Sequence, residues 1–515
     1  MSEFSSNKTI AKNTLFLYFR MMLTMCIGIY TSRLILDVLG VDDYGIYQIV
    51  GGVVGMMAFL NGALATGSSR FLTFELGKRE DSRISEVFNT AFNLHIILAL
   101  IIFLAAESVG LWFLYNKLII PPERLGAAAY AYELSVISVC LSVALVPFGA
   151  IVMSHERMKF YAYMSIIDVC LKLGIVYLLI INPWDNLVVY STLFFLMQIV
   201  VTVINLTYCK RNFAETKYRR LIDKKITKEI LGYSGWNLWA NTAIALSAQG
   251  TVIMINMFFS PAVVVARSLA NQVNGAASQF MGNFRAACNP QIVKRYAAGE
   301  YESSRELLLS TTKYSYFLLL LLGLPIILVS DKLLDIWLVE VPEYTGIFLR
   351  LTIITSFFQC FDSSLYTALY AKGQIRENAL TSPMVLFLAF PVIYWLFRSG
   401  YSPVSLAWVI LVVYAIIGLI VKPILIVKIV KYPLKVILKM FWDCLIVTLV
   451  AVPIPIVLYY TRAQIFRNEW IEFFGLAGIS ALCVCAACWF IGLDSVMRSK
   501  LLGMLYARFH RTATA

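Results

Sequence analysis

Charge is scarce in this chain: Asp, Glu, Lys and Arg make up 14% of its 515 residues, against about 25% in a soluble protein. Histidine is rarer still. The three that occur, His95, His155 and His510, lie far apart in sequence, so none forms a metal-spaced pair, and no glycine loop with its Lys is present to hold a nucleotide phosphate. Neither ATP hydrolysis nor metal catalysis has residues to support it, and no cofactor is expected. Long polar stretches are also missing, which leaves no room for a sizeable soluble domain. The outer loops near 115–130 and 331–345 are short and hold no carboxylate pair of the kind a membrane glycosyltransferase or polysaccharide polymerase would use for acid–base work. Such an enzyme is the alternative from a different functional class.

Apolar residues are abundant instead, at 60% of positions with a mean hydropathy of +0.77. Runs of about 20 such residues cross a bilayer as helices, and they recur along the whole chain. The expected spans number about fourteen: 12–38, 46–68, 90–114, 130–153, 161–181, 187–208, 231–258, 262–286, 307–330, 346–370, 378–398, 403–427, 440–461 and 470–493. The polar start up to Asn13 followed by a long apolar stretch reads as an uncleaved first helix. The fold class is therefore all-α and polytopic.

The net charge of +13 has its explanation in topology rather than nucleic acid. With the N-terminus inside, 29 of the 43 Lys and Arg residues fall in inner segments and 6 in outer ones, which places both termini in the cytoplasm. The largest inner loop, 209–230, holds eight of them and follows the sixth span. It divides an N-terminal lobe, 1–208, from a C-terminal lobe, 231–427, and leaves two further helices and a cytoplasmic tail at 428–515. Weak internal echoes support two parallel six-helix repeats: Asn61 pairs with Asn283 and Gly77 with Gly299 at one offset, and Lys159 with Arg376 at nearly the same offset. Gly51 and Gly55, continued by Ala58 and Gly62, suit close helix contact. Cys483, Cys485 and Cys488 have no ligand partner nearby and read as apolar packing residues.

A charge at the bilayer centre costs about 2.5–3.5 kcal/mol on insertion scales, so intramembrane polar groups face a partner or a wet cavity. Arg20 shares one stripe of span 1 with Asn13, Thr24 and Thr31. It would face a cavity or snorkel to the inner surface. The longest stripe is on span 8, where Arg267, Asn271, Asn274, Ser278 and Arg285 fall within about 40° at 100° per residue. Span 7 offers Asn237 and Asn241, and span 10 offers Gln359 among Thr352, Ser356 and Ser363. These amides and hydroxyls suit sugar hydroxyls, and equally suit hydrogen bonds between helices. Arg33 with Asp37, and Asp168 with Lys172, stand four apart and can pair along a helix. With Asp362 they are the candidates for ion coupling or gating.

Three segments carry a resemblance: SRLILDVLGVDDYGIYQIVGGVVG from Ser32 to Gly55, NGALATGSSRFLTFELGK from Asn61 to Lys78, and HERMKFYAYMSIIDV from His155 to Val169. Anchored by the Leu39-Gly40 and Tyr44-Gly45 steps, they resemble the polysaccharide (O-antigen) repeat-unit flippases of the multidrug/oligosaccharidyl-lipid/polysaccharide (MOP) exporter superfamily. The likeness is densest over the first two hundred residues. It implies two six-helix lobes around a cavity, plus two extra helices, in a bacterial inner membrane. It implies that an undecaprenyl-diphosphate-linked glycan is turned from the cytoplasmic to the periplasmic leaflet for surface polysaccharide synthesis, with H+ or Na+ as a coupling ion and a polysaccharide polymerase as a partner. Arg20, Arg267 and Arg285 fit the diphosphate-binding role, since guanidinium groups match phosphate oxygens in pairs. A drug exporter of the same superfamily is the alternative, for which Asp37, Asp168 and Asp362 speak.

Overall fold

The computed structural model describes residues 2–57, 83–155, 157–219, 223–374 and 376–494, with short pieces between 64 and 76 and at 498–499; side chains are described for these apart chiefly from 2–21 and 233–248. The described residues are helical almost throughout and hold no strand. In a bilayer every backbone N–H and C=O must be satisfied internally, and a chain this apolar does so by helix. Ten helices among the described residues are long and apolar enough to span a membrane. The protein is an all-α, multi-pass membrane protein.

The helices are α1 (Ser2–Met57), α2 (Ile84–Ala105), α3 (Leu125–Ala144), α4 (Val146–Ser154), α5 (Met158–Ile180), α6 (Asn186–Asn212), α7 (Lys224–Phe258), α8 (Pro261–Ala297) and α9 (Tyr301–Leu328). They continue with α10 (Ser330–Trp337), α11 (Thr345–Lys372), α12 (Arg376–Phe387), α13 (Ala389–Arg398), α14 (Val404–Ile416), α15 (Lys422–Leu425), α16 (Leu434–Ala451), α17 (Pro453–Ile465) and α18 (Glu469–Ala487). Side chains close several starts: Asp185 accepts from Val188 N at 3.1 Å, and Asp223 from Ile226 N at 2.9 Å.

The first two expected spans form the single element α1, broken at Gly40, where φ is 74° and ψ 170°. Only glycine adopts that region without strain. The expected spans at 231–258, 262–286 and 346–370 are helices α7, α8 and α11, and among the described residues α8 and α11 are not among the ten apolar ones. These are the helices that carry the polar stripes. In α11 Thr352 and Ser356 of the stripe are buried, while Gln359 and Ser363 are half-buried.

The chain forms two compact units. The first holds Met1–Ser268, Leu338–Glu343 and Phe397–Pro403, and the second holds Leu269–Trp337, Tyr344–Leu396 and Val404–Ala515. The division thus falls inside α8 and not in the basic loop at 209–230, because α7 packs on α1 and α2 within the first unit. Close approach makes that contact: a Cβ on Gly52 would meet Val252 at 3.0 Å and one on Gly55 would meet Gln249 at 3.2 Å. Gly51, expected at this contact, instead has nothing within 4 Å. The continuation through Ala58 and Gly62, and the repeat positions Asn61 and Gly77, lie outside the described residues. A Cβ on Gly45 would lie 2.7 Å from the Pro261 backbone oxygen, which gives the Tyr44-Gly45 step its physical reason.

In the second unit α11 is the central element, packed by α9 and α14, while α9 also meets α16 and α18. The α14 helix runs through two π turns, Ile417–Val421 and Ile426–Val430, on either side of α15 with its Pro423. Such turns widen a helix locally and turn a side chain out of register. Lys422 sits between them.

Candidate functional site

Within the second unit α8 and α11 run side by side in the same direction, joined by polar pairs. Ser356 Oγ donates to Asn274 Oδ1 at 2.8 Å, an Arg285 Nη donates to Ser363 Oγ, and Thr367 Oγ1 donates to Asn289 Oδ1 at 3.3 Å. Ser363 in turn donates to the Gln359 carbonyl at 2.7 Å. The hydrogen-bonding face read from spans 8 and 10 therefore ties the two helices together at these positions. Along α8, Asn271 is exposed and Ser278 half-buried, and the exposed polar row continues through Gln279, a residue that the 40° stripe omits.

Beside this ladder lies a buried ion cluster. Lys422 is 1% exposed at its side chain, and its ammonium stands 2.7 Å from Asp362 Oδ1. It also donates to Asn378 Oδ1 and lies 5.4 Å from the centre of the Tyr366 ring. Arg285, whose Nε is buried without a hydrogen-bond partner, is within electrostatic reach of the same carboxylate. Among the described residues Lys422 forms the ion pair with Asp362, and Arg285 forms none. Sequence analysis singled out Arg285 and Asp362 but not Lys422. Its signal was available: a Lys inside the apolar run 403–427, next to a proline.

Arg267 is 8% exposed and ends the first unit's share of α8. Eighteen residues of helix separate it from Arg285, about 27 Å at 1.5 Å per residue. One diphosphate cannot touch both. Arg20 lies on α1, and Asn237 and Asn241 on α7, with their side chains outside the described set. Asp168 and Lys172 pair at 2.7 Å and are part-exposed; Arg33 is half-buried and Asp37 exposed on α1.

A second cluster, unforeseen from sequence, lies in the first unit. Arg124 donates through Nε to Asp43 Oδ1 at 2.8 Å and through Nη2 to Asp185 Oδ1 at 3.2 Å, while Asn186 Nδ2 donates to the Val38 carbonyl at 2.9 Å. These contacts pin the break at Gly40 to the start of α6. The Arg124 hydrogen bond holds the Asp185 carboxyl below the usual carboxylate range. No local pattern could have signalled it, because the partners are 81 and 61 residues from Arg124.

Comparison with known structures places this arrangement. The chain superposes on a lipid II flippase, MurJ, in an inward closed conformation, with a TM-score of 0.69 at 12% identity over 95% of this chain and all of that one. The fold is that of a membrane transporter. An inward-facing multidrug-resistance MATE transporter of the MOP superfamily gives a TM-score of 0.66 at 13% identity over 81% of this chain and 99% of its own. The outward-facing form of a MATE transporter gives 0.58 at 13% identity. No protein-family model and no curated protein sequence matches the chain.

Proposed function

We propose that the protein turns an undecaprenyl-diphosphate-linked oligosaccharide repeat unit from the cytoplasmic to the periplasmic leaflet of a bacterial inner membrane by alternating access, for surface polysaccharide synthesis. The carrying observation is Arg285, part-buried on α8 and without an ion pair among the described residues, beside the Lys422–Asp362 pair in a helix bundle where an unmatched charge is costly. An anionic headgroup is the ligand that such a centre suits, and the full-length likeness to a lipid II flippase supports a lipid-linked one.

In this reading the chain holds two six-helix repeats, with both termini inside. Span 8 then runs from outside to inside, so Arg285 stands at the inner end and Arg267 at the outer. Their separation of about 27 Å makes them successive stations: Arg285 receives the diphosphate and Arg267 holds it before release, with Arg20 on span 1 a further candidate cation. Asn237, Asn241, Asn271, Asn274, Ser278 and Gln359 contact the sugars, for which the Asn274–Ser356 bond must open. Asp362, paired with the Lys422 ammonium, is a candidate for ion coupling, with H+ or Na+ as the ion. Arg33, Asp37, Asp168 and Lys172 act as gates. A polymerase would take the delivered unit.

A second reading, an ion-coupled small-molecule exporter, draws on the likeness to multidrug transporters. The two separate on the sidedness of lipid-linked oligosaccharide, measured with a membrane-impermeant glycan-cleaving probe in intact and inverted vesicles. Loss of the protein, or Arg285→Ala with normal insertion, leaves completed units on the cytoplasmic face; Lys332→Ala does not. Unchanged lipid-linked sugar in the deletion strain would reject the flippase.

A further inference from the structure

The second unit contains an apolar groove of about 1110 Å³ between α9 and α11 on one side and α16 and α17 on the other. Its floor is aromatic and tightly set: Tyr316 stacks on Phe361 with ring centres 5.2 Å apart, and Phe361 meets Phe441 edge-on at 4.8 Å. The one polar link in that floor is satisfied, Tyr316 Oη lying 2.9 Å from Thr448 Oγ1. One face of α16 forms the wall, with Leu438, Trp442 and Leu445 all about half exposed. None of the described residues fills the groove.

Its charge lies at one end. Lys435 and Lys439, one turn apart on α16, line the groove, and neither pairs with a carboxylate among the described residues. The next turn brings Trp442, giving two ammonium groups followed by an amphipathic indole, the order in which a leaflet presents headgroup and then acyl chain. Both lysines belong to the basic segment 428–439 that charge bias puts on the cytoplasmic side. Basic pockets between helices on that side suit phosphate headgroups. From Lys439 to Thr448 is about 14 Å along the helix, close to half of a hydrocarbon core of about 30 Å.

We propose that this groove holds one anionic phospholipid of the cytoplasmic leaflet, its phosphate between Lys435 and Lys439 and its acyl chains along Trp442, Leu445 and the Phe357–Phe361 wall. The occupant is a phospholipid and not the transported lipid: ammonium groups on the lipid-facing surface act as point charges for a single phosphate, whereas the guanidinium forks of α8 suit a diphosphate. The assignment stands whether or not the protein moves a glycan.

The test uses the full chain in detergent, titrated with brominated phosphatidylglycerol or brominated phosphatidylcholine. The quenching component that disappears in Trp442→Phe reports the groove. Phosphatidylglycerol is expected to bind more tightly by about fivefold per lysine, and Lys435→Gln/Lys439→Gln to bring it level with phosphatidylcholine. Equal binding of the two lipids by the parent protein overturns the proposal, as does a preference that survives the double variant. Displacement of bound phosphatidylglycerol by an equimolar polyprenyl diphosphate also overturns it and gives the groove to the substrate's tail. Elution of each variant as a folded species separates these outcomes from misfolding.

Discussion

At the edge of the first unit one cation, Arg124, faces two carboxylates, Asp43 and Asp185, and all three side chains keep between 16% and 36% of their surface open. In the second unit Lys422, only 1% exposed, pairs with Asp362, which is 26% exposed, so the difference between the clusters lies in the buried cation. Burial decides what each can do. Exposed pairs gain little from Coulomb attraction in a high dielectric and act as positional staples. A buried cluster is held together far more strongly and is costly when any member is removed, so a net charge kept there against that cost is expected to have a ligand.

The largest effect should come from breaking the buried cluster at one partner. Lys422→Ala leaves Asp362 without its nearest cation and is expected to destabilise the protein by about 3–5 kcal/mol, read from thermal or denaturant unfolding in detergent. If the loss is electrostatic, Lys422→Met combined with Asp362→Leu recovers most of that stability, because an apolar pair of similar volume carries no desolvation cost. Failure of the double variant to recover would mean that Lys422 acts through packing. The corresponding variant in the first unit, Arg124→Ala, is expected to cost only about 1 kcal/mol. An equal loss at Arg124 and Lys422 would erase the contrast between the two clusters.

The smallest effect is on pH. Asp185 is held below its ordinary value, so its contribution is fully present above about pH 4, the unfolded carboxylate value, and is lost as the pH falls through its lower folded value. With part of the group open to water, about 0.5 kcal/mol is expected, seen as a fall in melting temperature below pH 4. Arg124→Ala should remove that fall. A persistent acid transition in the variant would assign it to other carboxylates.

Much of the membrane architecture is legible in the sequence because lipid imposes one requirement on every span: an apolar run of fixed length. The span limits at 90–114, 187–208, 307–330 and 470–493 all fall within or close to the observed helices for that reason. The break between the first two spans is legible as well, in the Leu39-Gly40 step, since φ of 74° needs glycine. The polar stripes fall on α8 and α11, and hydrogen bonds such as Ser356 to Asn274 join those two helices. Periodicity gives direction around a helix but no distance along it, so Arg267 and Arg285 read as one site although about 27 Å of helix separates them.

The sequence by itself determined the class of this protein, the recurrence of its apolar runs and the bias of its charges, because each is a local property fixed by hydropathy and by loop composition. Tertiary structure alone decided which polar groups meet. Asn274 could have faced a sugar and faces Ser356; Arg124 reaches Asp43 and Asp185 across 81 and 61 residues; and Lys422 reaches Asp362 across 60 residues of chain. Each pairing depends on the register between packed helices, and register is set by close-packed side chains from both partners at once.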